Sequence, residues 1–115
     1  KEGKIGFGMN GLQNEELTFN IAKKDDLFLH VKDFPGSHVV ILEGKDNKKI
    51  RETAMELSLY LSHMDNGTVM IAKRKDVKKN PNKVGLVNIL HYETAVVKYI
   101  RPESVAIFKK ELKKD

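Results

Sequence analysis

The sequence contains no cysteine and no tryptophan, and it has only three prolines among its 115 residues. The lack of cysteine excludes disulfide frameworks, thiolate nucleophiles and cysteine-ligated zinc, and it fits a reducing compartment. No apolar run approaches the length of a transmembrane helix and no signal peptide is recognisable, so we expect a cytoplasmic location and no membrane partner. Aromatic residues amount to 7%, which limits the number of stacking platforms for a planar ligand.

The remaining composition is that of a folded domain. With 40% hydrophobic and 32% charged residues, the chain is long enough for one core and too short for two. We therefore expect a single domain over residues 1–115. Because the first residue is Lys1 and not Met, we expect either an excised module or a stand-alone version of one.

Positive charge is concentrated in one segment, residues 73–83, called the basic segment below. It has six cations against the single carboxylate of Asp76, a net charge of +5, so the rest of the chain is neutral. A polyanion is the natural partner, nucleic acid before an acidic membrane, whereas the plainer interpretation is a solvated loop whose lysines aid solubility. The six cations are Lys73, Arg74, Lys75, Lys78, Lys79 and Lys83.

Residues 25–41 predict two strands on either side of a Pro-Gly corner. Residues 27–32 alternate between two faces, and residues 39–42 form an unbroken apolar run that suits a strand buried on both faces. Pro35 and Gly36 predict a type II turn over residues 34–37, with positive φ at the glycine. The corner has more polar side chains than a hairpin needs, which suggests a site. These residues, called the polar corner below, are His30, Lys32, Asp33, Ser37 and His38.

The other elements complete an α+β fold. Strands are predicted over residues 5–9, 17–21, 68–72 and 105–108, and a turn over residues 10–14. Residues 84–90 and 94–100 are predicted to form a hairpin. Helical spacing of apolar residues predicts one helix from Asn47, its N-cap, through Met64, with a left-handed C-cap at residues 65–67. The expected architecture is a mostly antiparallel β-sheet of about seven or eight strands with one long helix packed on it.

Enzymatic interpretations of the polar corner are weaker. His30 and His38 with Asp26 and Asp33 lack the spacing that brings metal ligands together, so we predict no metal, no cofactor and no catalysis. A Ser37 nucleophile would need a base, and the adjacent His38 on a strand points to the opposite side. The commoner role is that both histidines hold the turn by hydrogen bonds.

Three aromatic residues are candidates for stacking on unpaired bases: Phe28, Phe34 and Tyr92. Phe28 lies in a predicted strand, where a core position is the commoner one. For Phe34 and Tyr92, which lie beside predicted turns, the choice between platform and packing stays open.

The residue pattern of the corner resembles a known signature. Residues 26–33 (Asp-Leu-Phe-Leu-His-Val-Lys-Asp), followed by residues 35–41 (Pro-Gly-Ser-His-Val-Val-Ile), look like the hallmark of the NFACT-R module, the RNA-binding region of the NFACT family. One departure is Phe28, which stands where the family usually has Trp and so lacks an indole N–H. The resemblance extends along nearly the whole chain through Gly8, Asn10, Gln13, Asn14, Glu15, Leu17, Thr18, Thr68, Lys78, Lys79, Gly85 and Val87.

The resemblance implies a non-enzymatic RNA-binding module that contacts tRNA, large-subunit rRNA or both in ribosome-associated quality control. From the residues, we predict that the basic segment contacts phosphates and that the polar corner forms a second polar surface. Two rivals remain: a fibronectin-binding surface adhesin, suggested by the label that some family members carry, and a small His-based metal-dependent hydrolase.

Overall fold

The computed structural model of the protein describes residues 4–42 and 47–112. Seven strands and three α-helices lie in this part of the chain, together with a π-helix at Glu16–Ile21 and a 3₁₀ turn at Arg74–Asp76. The strands are β1 (Lys4–Phe7), β2 (Leu27–Val31), β3 (Val39–Leu42), β4 (Gly67–Lys73), β5 (Val77–Lys79), β6 (Val87–Ile89) and β7 (Glu93–Val97); the helices are α1 (Gly11–Glu15), α2 (Lys48–Leu61) and α3 (Pro102–Leu112).

Five strands form an antiparallel sheet in the order β1-β3-β2-β4-β7, and β5 and β6 form a separate two-stranded sheet. The predicted strands on either side of the corner are confirmed, because β2 pairs with β3 in a register that places Phe28 opposite Val40. The α+β class and the antiparallel pairing are therefore correct. The single sheet of seven or eight strands with one helix is wrong, since the described strands divide between two sheets and three α-helices accompany them.

One face of the five-stranded sheet, called the helix face, packs against α2 and α3. Alternate strand residues such as Leu29, Val31 and Ile71 are buried there against Ile50 and Ala54 of α2. Among the described residues, none of the helices is both long and apolar enough to span a membrane.

Aromatic edges join α3 to the rest of the helix face. The Phe108 ring lies 5.0 Å from the Phe7 ring of β1 and 5.6 Å from the Tyr60 ring of α2, both in edge-to-face geometry. This packing joins α3 to both β1 and α2.

The opposite face, called the hairpin face, is covered by the π-helix and the β5–β6 hairpin. Phe28, Val40 and Ala72 point to this side, where they pack against Leu17 of the π-helix and Val77 of β5. Phe28 is buried, so it is a core residue and not a stacking platform.

Helix α2 begins as predicted and ends differently. The Asn47 side chain accepts a hydrogen bond from the Ile50 backbone N–H at 2.9 Å, which confirms the N-cap. The left-handed residue at the other end is His63, with φ 62°, and not a residue of the predicted 65–67 cap. The Met64 N–H donates to the Leu59 carbonyl and the His63 N–H to that of Tyr60, the two bonds of a Schellman motif.

The turn predicted over residues 10–14 and the strand predicted over residues 17–21 are wrong. Asn10 accepts from the Gln13 N–H at 2.9 Å and caps α1, which continues into the π-helix. Within the π-helix Leu17 and Thr18 are both buried, whereas a strand with two different faces would bury only one of them.

The strand predicted over residues 105–108 lies inside α3. Pro102 occupies the first helical position, where its missing N–H costs no hydrogen bond. The Ser104 hydroxyl donates to Glu56 at 2.6 Å, and the Arg101 side chain donates to the same carboxylate at 2.9 Å. These bonds tie the start of α3 to α2.

The predicted hairpin of residues 84–90 with 94–100 is also wrong. β6 pairs with β5, whereas β7 pairs with β4, so the two segments belong to different sheets. The hairpin that does form joins the basic segment to residues 87–89.

Candidate nucleic-acid interface

The basic segment forms the end of β4, the 3₁₀ turn and strand β5 of the hairpin. Its cations are exposed except Arg74, which is half-buried. In the described part of the chain, Lys79 is the one lysine of this segment that has an ion pair, at 4.0 Å from Glu15. The charge is thus displayed outward with little neutralisation. The exposed lysines are Lys73, Lys75, Lys78, Lys79 and Lys83.

Arg74 anchors this segment to the π-helix. Its guanidinium lies 4.5 Å from the centre of the Phe19 ring, and its Nε donates to the Thr18 carbonyl. Burial lowers the pKa of Arg74, yet a guanidinium keeps its proton at every pH at which the protein works. Lys79 approaches the same ring at 5.4 Å, so Phe19 lies between two cations.

Strand pairing brings Lys24, which lies outside residues 73–83, next to the basic segment. The register of β2 with β4 sets Leu27 opposite Lys73, which brings the residues before β2 beside the basic segment. The Lys75 N–H consequently donates to the Lys24 carbonyl at 2.9 Å, and the Lys24 side chain is exposed. The exposed Asp25 offsets part of the added charge. Only knowledge that β2 pairs with β4 would have revealed this neighbour.

His38 is the buried centre of the polar corner, with 1% of its surface exposed. Its Nε2 lies 3.1 Å from the Gly85 carbonyl and its Nδ1 lies 2.8 Å from the Thr18 hydroxyl. Because a carbonyl can only accept, Nε2 carries the proton, and Nδ1 accepts from Thr18. The neutral ring therefore joins β3, the π-helix and the hairpin loop.

Burial sets the protonation of both histidines. Burial, with a smaller contribution from the neighbouring His30, lowers the pKa of His38 to about 4, although the hydrogen bonds to Gly85 and Asn14 oppose the shift. Burial also lowers the pKa of His30, whose Nδ1 lies 2.6 Å from the Val31 carbonyl. Both rings are held neutral at physiological pH and act as hydrogen-bonding parts of the framework, the role predicted for them.

Glycine and acidic residues complete the attachment of the hairpin. The Gly85 N–H donates to the Glu15 carboxylate at 3.0 Å, and the Asn14 side chain accepts from the His38 N–H at 3.1 Å. A Cβ on Gly85 would lie 2.8 Å from the Gly11 Cα, and the φ of Gly85 is +87°. Several residues of the sequence signature thus meet in one cluster that fixes the hairpin on the sheet.

The corner itself turns at Asp33 and not at the predicted type II position. Asp33 has φ 69°, whereas Gly36 is absent from the positive-φ residues of the described chain. Gly36 is required for another reason: a Cβ there would lie 2.2 Å from the Ser62 hydroxyl. Lys32 pairs with the exposed Asp33 carboxylate at 3.2 Å, and Ser37 is buried.

A cleft of about 780 Å³ separates the polar corner from the loop of the hairpin. The predicted residues His30, Asp33, Ser37 and Lys83 all line it, so the structure brings one end of the basic segment to the corner. His38 lies behind this wall, and its burial gives it a positioning role. The prediction that the exposed residues contact RNA stays a prediction.

The hydrolase interpretation gains nothing from this geometry. Both ring nitrogens of His38 have partners other than Ser37. Across residues 4–42 and 47–109, no three His, Asp or Glu side chains converge in a way that would hold a metal ion.

Comparison with known proteins supports the NFACT family for this chain, although no family model matches it. Its relatives include proteins named Rqc2 homolog RqcH. The one from Streptococcus suis (strain 05ZYH33) is 42% identical over 85 residues, 70% of this chain and 15% of the relative. The one from Bacillus subtilis (strain 168) is 37% identical over 106 residues, 89% of this chain and 18% of the relative. The chain therefore spans less than a fifth of the length of either.

One solved structure is also similar. The C-terminal part of the fibronectin/fibrinogen-binding protein from Streptococcus suis matches with a TM-score of 0.80 and 36% identity. The match covers 90% of this chain and 43% of that chain. The fold described above is therefore shared with a C-terminal region of a longer protein.

Proposed function

We propose that this chain is an NFACT-R-type RNA-binding module without catalytic activity, which contacts tRNA or large-subunit rRNA in ribosome-associated quality control in the cytoplasm. The sequence signature of the corner and the relatives named RqcH support the process. The exposed lysines support RNA as the ligand, because ammonium groups bind phosphates with little dependence on sequence.

The observation that carries the proposal is a cationic hairpin fixed by buried polar contacts. Lysines on a mobile loop would have to be ordered when they bind a polyanion. Here Arg74 fixes one end of the basic segment to the π-helix, and Gly85 fixes the loop at the other end to His38 and to Glu15 of α1. A fixed row of ammonium groups is preorganised for a phosphate backbone, which lowers the ordering cost of binding.

Charge reversal of four exposed lysines tests the proposal. Lys73, Lys75, Lys78 and Lys79 are replaced together by Glu, and tRNA binding is titrated by filter binding at several salt concentrations. We expect a strong loss of affinity, and a slope of log affinity against log salt that becomes shallower by roughly three units, because each lost phosphate contact removes slightly less than one.

A matched control changes the net charge by the same amount elsewhere. Lys48, Lys49, Lys98 and Lys109 are exposed and lie outside the hairpin, so their replacement by Glu should leave most of the affinity. If both quadruple variants lost the same affinity for tRNA, the effect would be due to net charge and not to the position of the lysines. Unchanged affinity in the first variant would refute the assignment of those lysines.

The structural neighbour favours a second candidate, a module that binds an extracellular matrix protein, since that neighbour is titled a fibronectin/fibrinogen-binding protein. The two functions separate in a direct competition. If immobilised fibronectin retains the domain at low salt and tRNA does not displace it, the adhesin function is favoured. If tRNA displaces the domain and the hairpin reversal abolishes both interactions, RNA is favoured.

A further inference from the structure

The cleft beside the basic segment has walls that do not suit a phosphate. Most of its lining side chains are apolar, and the charged side chains described in its wall are Asp33, which is paired with Lys32, and Lys83. Mostly apolar walls disfavour a phosphate, whereas they accept a neutral ring whose amino groups can donate to the Asp33 carboxylate. The volume of about 780 Å³ lies within the usual ~300–1,000 Å³ of small-ligand sites.

An aromatic side chain stands free at this cleft. Phe34 lines it and remains 57% exposed, although a large apolar side chain on a turn is usually covered when it serves only the core. Met9 and Leu86 line the cleft from other elements and are exposed as well. An aromatic face with flexible apolar neighbours is how proteins receive an unstacked base.

Two strained backbone positions border the same cleft. Asp33 and His63 are the non-glycine residues with positive φ in the described chain, at 69° and 62°, and both line it. Such conformations cost free energy and concentrate at ligand sites. Asp33 is adjacent to Phe34 and sets the course of the backbone there, whereas His63 ends α2.

The charged residues near the cleft indicate what kind of molecule would bring a neutral ring into it. Lys83 lines the cleft and belongs to the basic segment, so a nucleic-acid backbone that follows those lysines passes the mouth of the cleft. From this arrangement we infer that the cleft receives an unpaired nucleobase of single-stranded RNA, stacked on Phe34, while the lysines bind the flanking phosphates. The inference rests on the proposed function and narrows it to RNA with at least one unpaired base.

The test compares single-stranded RNA with duplex RNA. The ligands are an oligoribonucleotide of about ten nucleotides, its duplex, and the same strand with abasic sites; the proteins are the wild type, Phe34→Ala and Phe34→Tyr. We expect Phe34→Ala to weaken single-strand binding roughly 5- to 150-fold and duplex binding less than about twofold, because stacking requires a free base. Phe34→Tyr keeps the ring and should keep the affinity.

The abasic strand makes the result independent of folding. Wild-type protein should bind it about as weakly as Phe34→Ala binds the intact strand, and Phe34→Ala should not discriminate between the two strands. Single-strand affinity that is indifferent to Phe34→Ala, as expected if a partner protein's side chain fills the cleft, overturns the inference. Equal losses for strand and duplex overturn it too.

The quadruple lysine-to-glutamate variant of the basic segment is measured in the same experiment. It distinguishes failure of the base site from failure of the proposed RNA binding. If it lowers affinity for every RNA while Phe34→Ala has no effect, phosphate binding stands and the base site does not. If the wild type binds neither strand nor duplex, the proposed function fails, and the base site fails with it.

Discussion

The two faces of the five-stranded sheet are built from alternate residues of the same strands, yet they differ in kind. The helix face is apolar: Leu29, Val31 and Ile71 are buried against the apolar side of α2. The hairpin face combines Phe28 and Val40 with buried polar groups. Apolar contacts are non-directional, whereas hydrogen bonds fix orientation. The larger apolar cluster thus lies on the helix face, and the polar contacts of the hairpin face position the cations.

His38, the buried polar centre of the hairpin face, is fully hydrogen-bonded. The His38 ring and its N–H have three partners, on the π-helix, the hairpin loop and α1. Each bond adds little net stability, but losing one partner would leave a buried donor or acceptor unsatisfied. The hairpin is therefore attached by contacts that tolerate little displacement.

The largest effect should come from a cavity on the helix face. Leu29→Ala removes a fully buried side chain and should lower the free energy of unfolding by about 2–5 kcal/mol in urea titrations. RNA affinity of the folded variant should stay unchanged, because Leu29 faces away from the hairpin. Val96→Ala, at a position 73% exposed, is the control and should cost less than about 0.5 kcal/mol. A Leu29→Ala variant as stable as this control would contradict the assignment of the core.

The second largest effect should be a loss of folding stability at low pH, caused by His38 on the hairpin face. The His38 pKa is lowered from its ordinary 6.5 to about 4. Between these two pH values the unfolded chain binds a proton at this residue and the folded chain does not. The stability of the wild type should be complete above pH 6.5 and fall towards pH 4, by about 3 kcal/mol from this group.

The control for the acid effect is His38→Gln, which lacks the titrating group. It should lose less stability than the wild type over the same pH interval, although other titrating groups contribute to both curves. Unfolding curves at pH 7, 6, 5 and 4 measure the difference. Parallel pH profiles of the two proteins would show that His38 is not the group responsible.

The smallest expected change in stability comes from His63, which ends α2 beside the cleft. His63 occupies the left-handed position that ends α2, where glycine is preferred. His63→Gly should therefore raise the melting temperature, with a gain of about 1 kcal/mol in the free energy of unfolding. His63→Ala removes the same ring without relieving the backbone, and it should give no gain. A gain in both variants would assign the effect to the imidazole and not to φ.

The sequence analysis succeeded where one periodicity prevailed. β2 was predicted from alternating apolar residues, α2 from helically spaced ones and β3 from an unbroken apolar run, which is buried on both faces; β4 was predicted as well. Residues 17–21 alternate by composition, yet the caps and contacts of their neighbours fold them into a π-helix. Pro102 and the acidic Glu103 were a helix-start signal for α3 that the short apolar run over residues 105–108 obscured.

The sequence predicted several of the residues of the candidate site but not how they come together in the fold. The charge of the basic segment and the polar excess of the corner are visible in the sequence, and the exposure of the five lysines agrees with the first. The bond between His38 and Gly85 spans 47 residues, so no local pattern could reveal it. The approach of Lys24 to Lys75 likewise depends on a strand register that only the folded chain defines.

The separation of the β5–β6 hairpin from the larger sheet has a consequence for variation. In the described part of the chain this ribbon has no ladder with the five strands beneath it, so residues added between Asn80 and Lys83, before the fixed Gly85, would lengthen its loop without shifting any register below. Such insertions would change how far the ammonium groups of this loop reach, while the architecture underneath stays unaltered.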